Sequence, residues 1–229
     1  VEPPDPATRA SLSAQIQQQG WSAQSATRTQ RIDIPVFFHI IHVKGQRKIT
    51  QQQLTEQIRV LNADLNPHRI SCSAAGGQII EVKAIPGLRM IYERVVKPKL
   101  AKDRTKYLNF YVGPLKGGLL GYAAFPWDAK FEDRLDGVVM SDDAMPGGRH
   151  KGFNTGRVAV HELGHWLGLY HTFQDGCSGS GDDVASTPAH PKPNRGCKPK
   201  SQWPKACNGQ DPVPYDNIMN YTTDQCRTT

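Results

Sequence analysis

The sequence predicts an α/β (α+β) fold: one twisted mixed sheet, a backing helix, a second helix that carries chemistry, and an irregular disulfide-linked C-terminal portion. Three observations lead there. Strand-like runs and helical periodicities are interspersed as far as Gly168, with too few helices for a doubly wound sheet. Regular patterning then fades into a segment rich in Pro, Gly and Asp. Four of the five cysteines, Cys177, Cys197, Cys207 and Cys226, fall in that segment.

Residues 1–30 are polar and read as a surface-wrapping arm, with a helical turn around Ala7–Gln19. Ile32 to Val43 is β-branched and aromatic on both faces, which suits a buried strand with Pro35 near its start. Thr50 to Leu65 places Leu54, Ile58, Leu61 and Leu65 at helical spacing; Thr50 and Gln53 form a capping box, and Asn66-Pro67 ends the helix. Gln78 to Ile85 reads as a strand, whereas Pro86–Lys99 is ambiguous. Tyr107 to Val112 alternates as a strand, with Leu108, Phe110 and Val112 on one side. Gly117 to Ala123 is a glycine-punctuated edge strand or loop, and Asp136 to Ser141 a short strand. Thr155 to Leu167 is a helix whose apolar side carries Val160, Leu163 and Leu167. The organisation is an arm, 1–30, and a domain, 31–229, split into an upper part 31–168 and a lower part 169–229.

Composition narrows the function. A chain of 229 residues that is 38% hydrophobic can bury a substantial core. No run approaches the roughly 18 apolar residues of a membrane helix. The start, Val1-Glu2-Pro3-Pro4-Asp5, does not read as a signal peptide, though one could have been removed. The net charge of +7 is scattered; its densest run, Lys97 to Lys106, matches no nucleic-acid motif and reads as a solvated face. None of the cysteines forms a C-x-x-C pair, which argues against a zinc ribbon or a thioredoxin site. A segment too poor in apolar residues to hold itself by burial needs two disulfides, hence an oxidising, extracellular compartment. Spacing leaves three pairings open. Cys72 is left over, either as a buried thiol or as the partner of something absent from this chain.

The decisive segment is His161-Glu162-Leu163-Gly164-His165-Trp166-Leu167-Gly168-Leu169-Tyr170-His171. Two histidines four apart on a helix project from one face and can share a metal ion. Zinc in a catalytic site takes three protein ligands and leaves one position for water. His171 can be the third ligand only if the chain reverses, and Gly168 supplies the left-handed residue that such a helix ending needs. Glu162 is placed to take a proton from water rather than to bind metal. With 8 His, 6 Glu and 21 Gly in the chain, the five fixed positions arise by chance at about 1 in 10⁷ per starting point. His39 and His42, on a buried strand, read as satisfied core histidines.

The run H-E-x-x-H-x-x-G-x-x-H resembles the metzincin zinc-binding signature. Asn217-Ile218-Met219-Asn220-Tyr221 is similar to the methionine turn of that group, with Met219 beneath the metal. Within it the chain resembles the pappalysin family, especially secreted fungal, microbial and ulilysin-like members. The likeness rests on Leu119-Leu120-Gly121-Tyr122-Ala123, Leu169-Tyr170-His171-Thr172-Phe173 and Gly176-Cys177 as well as the motif, and covers most of 31–226 but not 1–30 or about 67–105. Thr172 separates it from astacins and reprolysins.

The resemblance implies a metzincin-like catalytic domain and a secreted zinc endopeptidase. Zn²⁺ would be held by His161, His165 and His171, with Glu162 as base and Tyr221 near the metal to stabilise the oxyanion. It further implies disulfides Cys177–Cys207 and Cys197–Cys226, and Asp224 at the base of a pocket favouring Arg or Lys after the scissile bond. Calcium would be held by Asp182, Asp183 and Thr187, although Ser186 stands where the family often has an aspartate. The expected partners are protein or peptide substrates, bound extended near Gly118–Ala123; no nucleic acid and no membrane span are expected, and the chain should act as a monomer. Asn220-Tyr221-Thr222 is a formal sequon expected to stay unmodified. Related chains usually continue into a C-terminal helix, whereas this sequence ends at Thr229. Two other readings are a zinc-containing binding or toxin-like module with vestigial activity, and an amidase acting on non-peptide substrates.

Overall fold

The structure, a computed structural model, describes residues 7–9, 11, 14, 30–83, 89–127, 133–179 and 181–228. Five strands make the main sheet: β1 (Ile32–Val43), β2 (Ile70–Val82), β3 (Leu108–Gly113), β4 (Gly121–Ala123) and β5 (Val138–Ser141), in the order β2-β1-β3-β5-β4. All neighbours are parallel except β4, which runs antiparallel to β5 at the edge. Alternation sorts the side chains into two layers. Phe38, Ile40, Phe110, Val112, Val138 and Met140 face helices α1 (Gln51–Leu65) and α3 (Arg157–Trp166) in the main core. Ile41, Tyr111, Tyr122 and Val139 face the other way, onto helical segment α2. That segment is α-helical at Arg89–Ile91, widens to a π turn at Tyr92–Val96 and tightens again at Lys97–Leu100.

The helix starts and stops follow local chemistry. Thr50 Oγ1 accepts from Gln53 N at 3.2 Å, and Gln53 Oε1 accepts from Thr50 N at 3.2 Å, closing the capping box of α1. A short 3-10 turn at Asn66–His68 ends it, with Arg69 left-handed at φ 58°. Pro35 lies one residue before β3 joins β1 at Val36↔Leu108.

Two sequence expectations are corrected and one ambiguous stretch is resolved. β2 starts at Ile70, not Gln78; its small, polar first half carries no strand signature and is ordered by pairing along β1. A register shift at Val36/Phe37 is matched by Gly76, whose φ of 137° tolerates no side chain comfortably; an added Cβ would also meet the Phe37 ring at 3.1 Å. Pro86–Lys99 is largely helical from Arg89. Leu167 is not on the buried side of its helix but 40% exposed, because the helix has already ended at Trp166. Of the arm, Ala7–Arg9, Ser11 and Ala14 are helical, and the rest of the Ala7–Gln19 turn lies outside the described residues.

Beyond α3 the chain is irregular, with one two-stranded ladder, β6 (Arg195–Gly196) with β7 (Tyr221–Thr222). Disulfides Cys177–Cys207 and Cys197–Cys226 tie this region together, with Cα separations of 5.6 and 5.7 Å. Cys72 is a free, buried thiol whose pKa is pushed up to about 12 by burial. No helix among the described residues is long and apolar enough to cross a membrane.

Candidate metal centre and active site

Helix α3 is fixed from several sides. Gln57 of α1, fully buried, donates from Nε2 to Gly156 O at 2.9 Å, holding the turn where α3 begins. Arg157 makes a forked ion pair with Asp64 of α1, with Nε to Oδ2 at 3.0 Å. Val158, Ala159, Val160 and Leu163 are buried against the core. At the other end Gly168 adopts φ 99°. Gly168 N donates to His165 O and Leu169 N to Gly164 O, both at 2.9 Å, which is a Schellman ending. The reversal that follows returns His171 to the helix.

The three imidazoles meet at their Nε2 atoms. His171 Nε2 lies 3.2 Å from His161 Nε2 and 3.1 Å from His165 Nε2. His161 Nδ1 sits 2.7 Å from Ile218 O, and His165 Nδ1 2.7 Å from Leu169 O. Each carbonyl requires the proton on Nδ1, so both Nε2 atoms present lone pairs to His171. One His171 N–H cannot satisfy two acceptors, so the arrangement calls for a cation. Tetrahedral ligation at about 2.0–2.1 Å places nitrogens about 3.3–3.4 Å apart, which matches. Burial, reinforced by the neighbouring His165, holds His161 well below the usual histidine range. Burial also lowers His165 to about 4; burial with the nearby His165 lowers His171 to about 3. The rings are therefore neutral, as metal ligands must be. Among the described residues these three form the one group of His, Cys, Asp or Glu able to hold a metal ion.

The methionine turn supports the triad from below. Its Ile218 carbonyl orients His161, while Met219 N donates to Asn217 Oδ1 at 2.8 Å. Met219 is buried against Gly164, where an added Cβ would overlap its sulfur. Glu162, 6% exposed, packs across Gly121 of β4; a Cβ there would lie 2.9 Å from Glu162 Cγ. Burial raises the Glu162 carboxyl to about 8. The Tyr221 ring stands edge-on to His171 at 4.8 Å and 5.8 Å from His161. A cleft of about 300 Å³ opens on Glu162, the three histidines and Tyr221, with Gly118–Gly121 along one wall.

Other sequence candidates are placed differently. Asp224 is 1% exposed, and its Oδ2 accepts from Thr155 N at 3.0 Å and Thr155 Oγ1 at 2.9 Å. It fastens the C-terminal segment to the approach to α3 and does not line the cleft; Arg227 does. Asp182 and Thr187 come together, with Asp182 also accepting from Val184 N at 3.1 Å. Asp183 turns instead to Arg9 of the arm, whose Nη2 lies 3.0 Å from Asp183 Oδ2 and 2.8 Å from Gly181 O. Arg9 also pairs with Asp175. A guanidinium thus supplies the positive charge facing Asp183. His39 is satisfied by Asn109 and Gln78, each at 2.8 Å, and stacks on Tyr111. His42 is buried 3.9 Å from Glu81. Asn220 is fully buried and donates from Nδ2 to Pro214 O, so its amide has no room for a glycan.

Arg89, Arg195, Phe153, Val158 and Arg227 also line the cleft, and no motif or periodicity marks them. They lie in stretches of the chain that only the fold brings together.

Comparison with known proteins agrees with this geometry. The M43 peptidase family profile, described as pregnancy-associated plasma protein-A, matches residues 92–229. An extracellular metalloprotease of Verticillium alfalfae is 37% identical over 204 residues, spanning 85% of this chain and 70% of the relative. One from Pyricularia oryzae is 35% identical, spanning 88% and 71%. Mature mirolysin of Tannerella forsythia, solved in complex with a cleaved peptide, superposes with a TM-score of 0.79 at 28% identity over 87% of each chain. The chain belongs to the M43 peptidases, the pappalysin family of metzincin metalloendopeptidases.

Proposed function

We propose that the chain is a secreted zinc endopeptidase in which His161, His165 and His171 hold the metal and Glu162 moves the proton. The observation that carries this is the convergence of three Nε2 lone pairs beside a buried carboxyl in an open cleft. Zinc bound there supplies Lewis-acid chemistry, polarising a carbonyl and making water acidic enough to attack near neutral pH. An extended peptide pairs with the free edge of β4, since among the described residues β4 has a sheet neighbour on one side alone. Glu162 takes a proton from the attacking water and passes it to the leaving amine. With the ion bound, Glu162 would be held in the ionised form that this role needs. Tyr221 donates its hydroxyl to the oxygen that gains charge as the carbonyl becomes tetrahedral. Met219 and the Ile218 carbonyl keep His161 in register and take no part in bond breaking. Secretion is supported by the extracellular naming of the fungal relatives and by the two disulfides.

A preference for Arg or Lys after the scissile bond would need Asp224 open to substrate. Its engagement with Thr155 withdraws that support, so the proposal stops at endopeptidase. Calcium likewise stays outside it, since Arg9 already answers Asp183. The test is Glu162→Ala. It should retain zinc by elemental analysis yet lose chelator-sensitive cleavage of a denatured protein by about 10²-fold or more. Undiminished cleavage would refute the assignment of the base.

A further inference from the structure

Tyr221, which carries the oxyanion contact in the proposed reaction, sits on a very short ladder. β7 pairs two residues, Tyr221 and Thr222, in parallel with Arg195 and Gly196 of β6. Two rungs do not hold a strand in register by themselves, so both ends need fastening. At the far end Thr223 N donates to Gly196 O at 3.3 Å, and the Cys197–Cys226 disulfide follows. At the near end the fastening is a side chain, that of Asn220.

Asn220 is fully buried. Its Oδ1 accepts from Asn194 N and from Tyr221 N, both at 2.9 Å. The first of these lies just before β6 and the second opens β7, so the carboxamide closes the ladder where a further backbone rung is missing. Two N–H groups aimed at one atom fix which end of the amide is the oxygen. Nδ2 donates to Pro214 O at 3.2 Å and lies 3.5 Å from His190 Nε2. His190 is 1% exposed, and its Nδ1 faces Pro188 O at 3.3 Å and so carries the proton. Its Nε2 is left to accept from Asn220 and from Thr172 Oγ1, 3.4 Å away. Thr172 directly follows His171. One buried amide therefore joins the methionine turn, the start of β6 and the chain leaving the third histidine.

The ring that issues from this clasp is boxed in. Tyr221 stands edge-on to His171 at 4.8 Å and to Phe173 at 4.9 Å, and the Arg195 guanidinium lies over it at 5.4 Å. Where the ring points thus depends on where β7 lies. We propose that Asn220 is a positioning residue for peptide cleavage. By holding Tyr221 N and Asn194 N together, its Oδ1 sets the distance from the Tyr221 hydroxyl to the oxygen that gains charge. Asn220 itself is not among the residues lining the cleft. The inference rests on the endopeptidase reading and on the place of Tyr221 within it. Removing an oxyanion donor costs about 10²–10³-fold in kcat, and a shift of about 1 Å forfeits a large part of such a contact.

The test compares zinc-loaded wild type, Asn220→Ala, Tyr221→Phe and the double variant on one peptide. Tyr221→Phe should lower kcat about 10²-fold. Asn220→Ala should lower it about tenfold, with KM within about twofold of wild type and its zinc content unchanged. In the Tyr221→Phe background Asn220→Ala should cost less than about twofold, because no hydroxyl remains to be misplaced. A phosphonamidate peptide, which mimics the tetrahedral oxygens, should bind Asn220→Ala about tenfold more weakly. Asn220→Asp keeps an acceptor oxygen and should restore most of kcat. Losses that multiply in full in the double variant, or an unchanged kcat in Asn220→Ala, overturn the inference. If Asn220→Ala fails to fold, Asn220→Ser replaces it in the same cycle; loss of the fold in both shows a purely structural role and also overturns it. A harmless Tyr221→Phe sinks the inference and spares the endopeptidase reading. A zinc-loaded wild type that cleaves nothing overturns both.

Discussion

Gly164→Ala tests the link between the methionine turn and the metal ligands. Gly164 lies between the two helix ligands, and its missing side chain is what lets Met219 close under the site. An added Cβ would overlap the Met219 sulfur and stand 3.2 Å from its terminal methyl. Met219 is 4% exposed, and its turn is tied by Ile218 O to His161 and by Met219 O to Thr172 N. The sulfur therefore cannot swing aside without dragging the turn. Overpacking of this kind costs about 1–3 kcal/mol, which in a domain of this size lowers the melting temperature by about 2–4 °C per kcal/mol. If the turn moves, the Ile218 carbonyl leaves His161 Nδ1, and loss of such an orienting partner weakens metal binding about 10–100-fold. Competition with a fluorescent zinc chelator reads the affinity, and thermal unfolding of the metal-free protein reads the packing cost separately. A variant that melts and binds zinc like the wild type would refute the claim that Met219 packs tightly here and couples to His161.

Two further predictions concern the C-terminal region. Replacing Cys197 and Cys226 by serine opens a link spanning 29 residues, which on loop entropy costs about 3–4 kcal/mol; denaturant unfolding with and without reductant measures it, and an unchanged midpoint would show that the disulfide adds no stability. Asp182 is held above the usual 3.8, to about 6, chiefly by burial. The fold thus prefers the protonated acid. Its stabilising contribution is fully present below about pH 4 and is lost as pH rises through about 6, amounting to no more than about 3 kcal/mol. Asp182→Asn should therefore unfold at higher temperature than wild type at pH 7.5 and at the same temperature at pH 4. The opposite sign at pH 7.5 in millimolar calcium would show that Asp182 binds that ion.

What the sequence disclosed and what it concealed divide along the range of the interactions. The strand Ile32–Val43, the Thr50/Gln53 box and the reversal at Gly168 depend on neighbours a few residues away, and all three were legible. The metal triad was legible for the same reason, since spacings of four and six on one helix and its turn fix the geometry. The first half of β2 was not, because Ser71 to Gly77 holds small residues whose extended form is imposed by β1. The environment of Asp224 was also hidden. A loop aspartate before a cysteine says nothing of Thr155, 69 positions earlier, which takes up one of its oxygens. Arg9 meeting Asp183 across 174 positions is the extreme case, and it changes what a cluster of acidic residues means. The exposed Leu167 shows a smaller error, in which apolar periodicity was extended one step past the end of the helix.

The central claim is that one ion is held by the Nε2 atoms of His161, His165 and His171. Elemental analysis of catalytically active protein after exhaustive dialysis tests it most directly. The account predicts one zinc per chain in the wild type and almost none when His165 and His171 are both replaced by alanine. Active protein without stoichiometric metal, or a double variant that keeps its full zinc content, would contradict it.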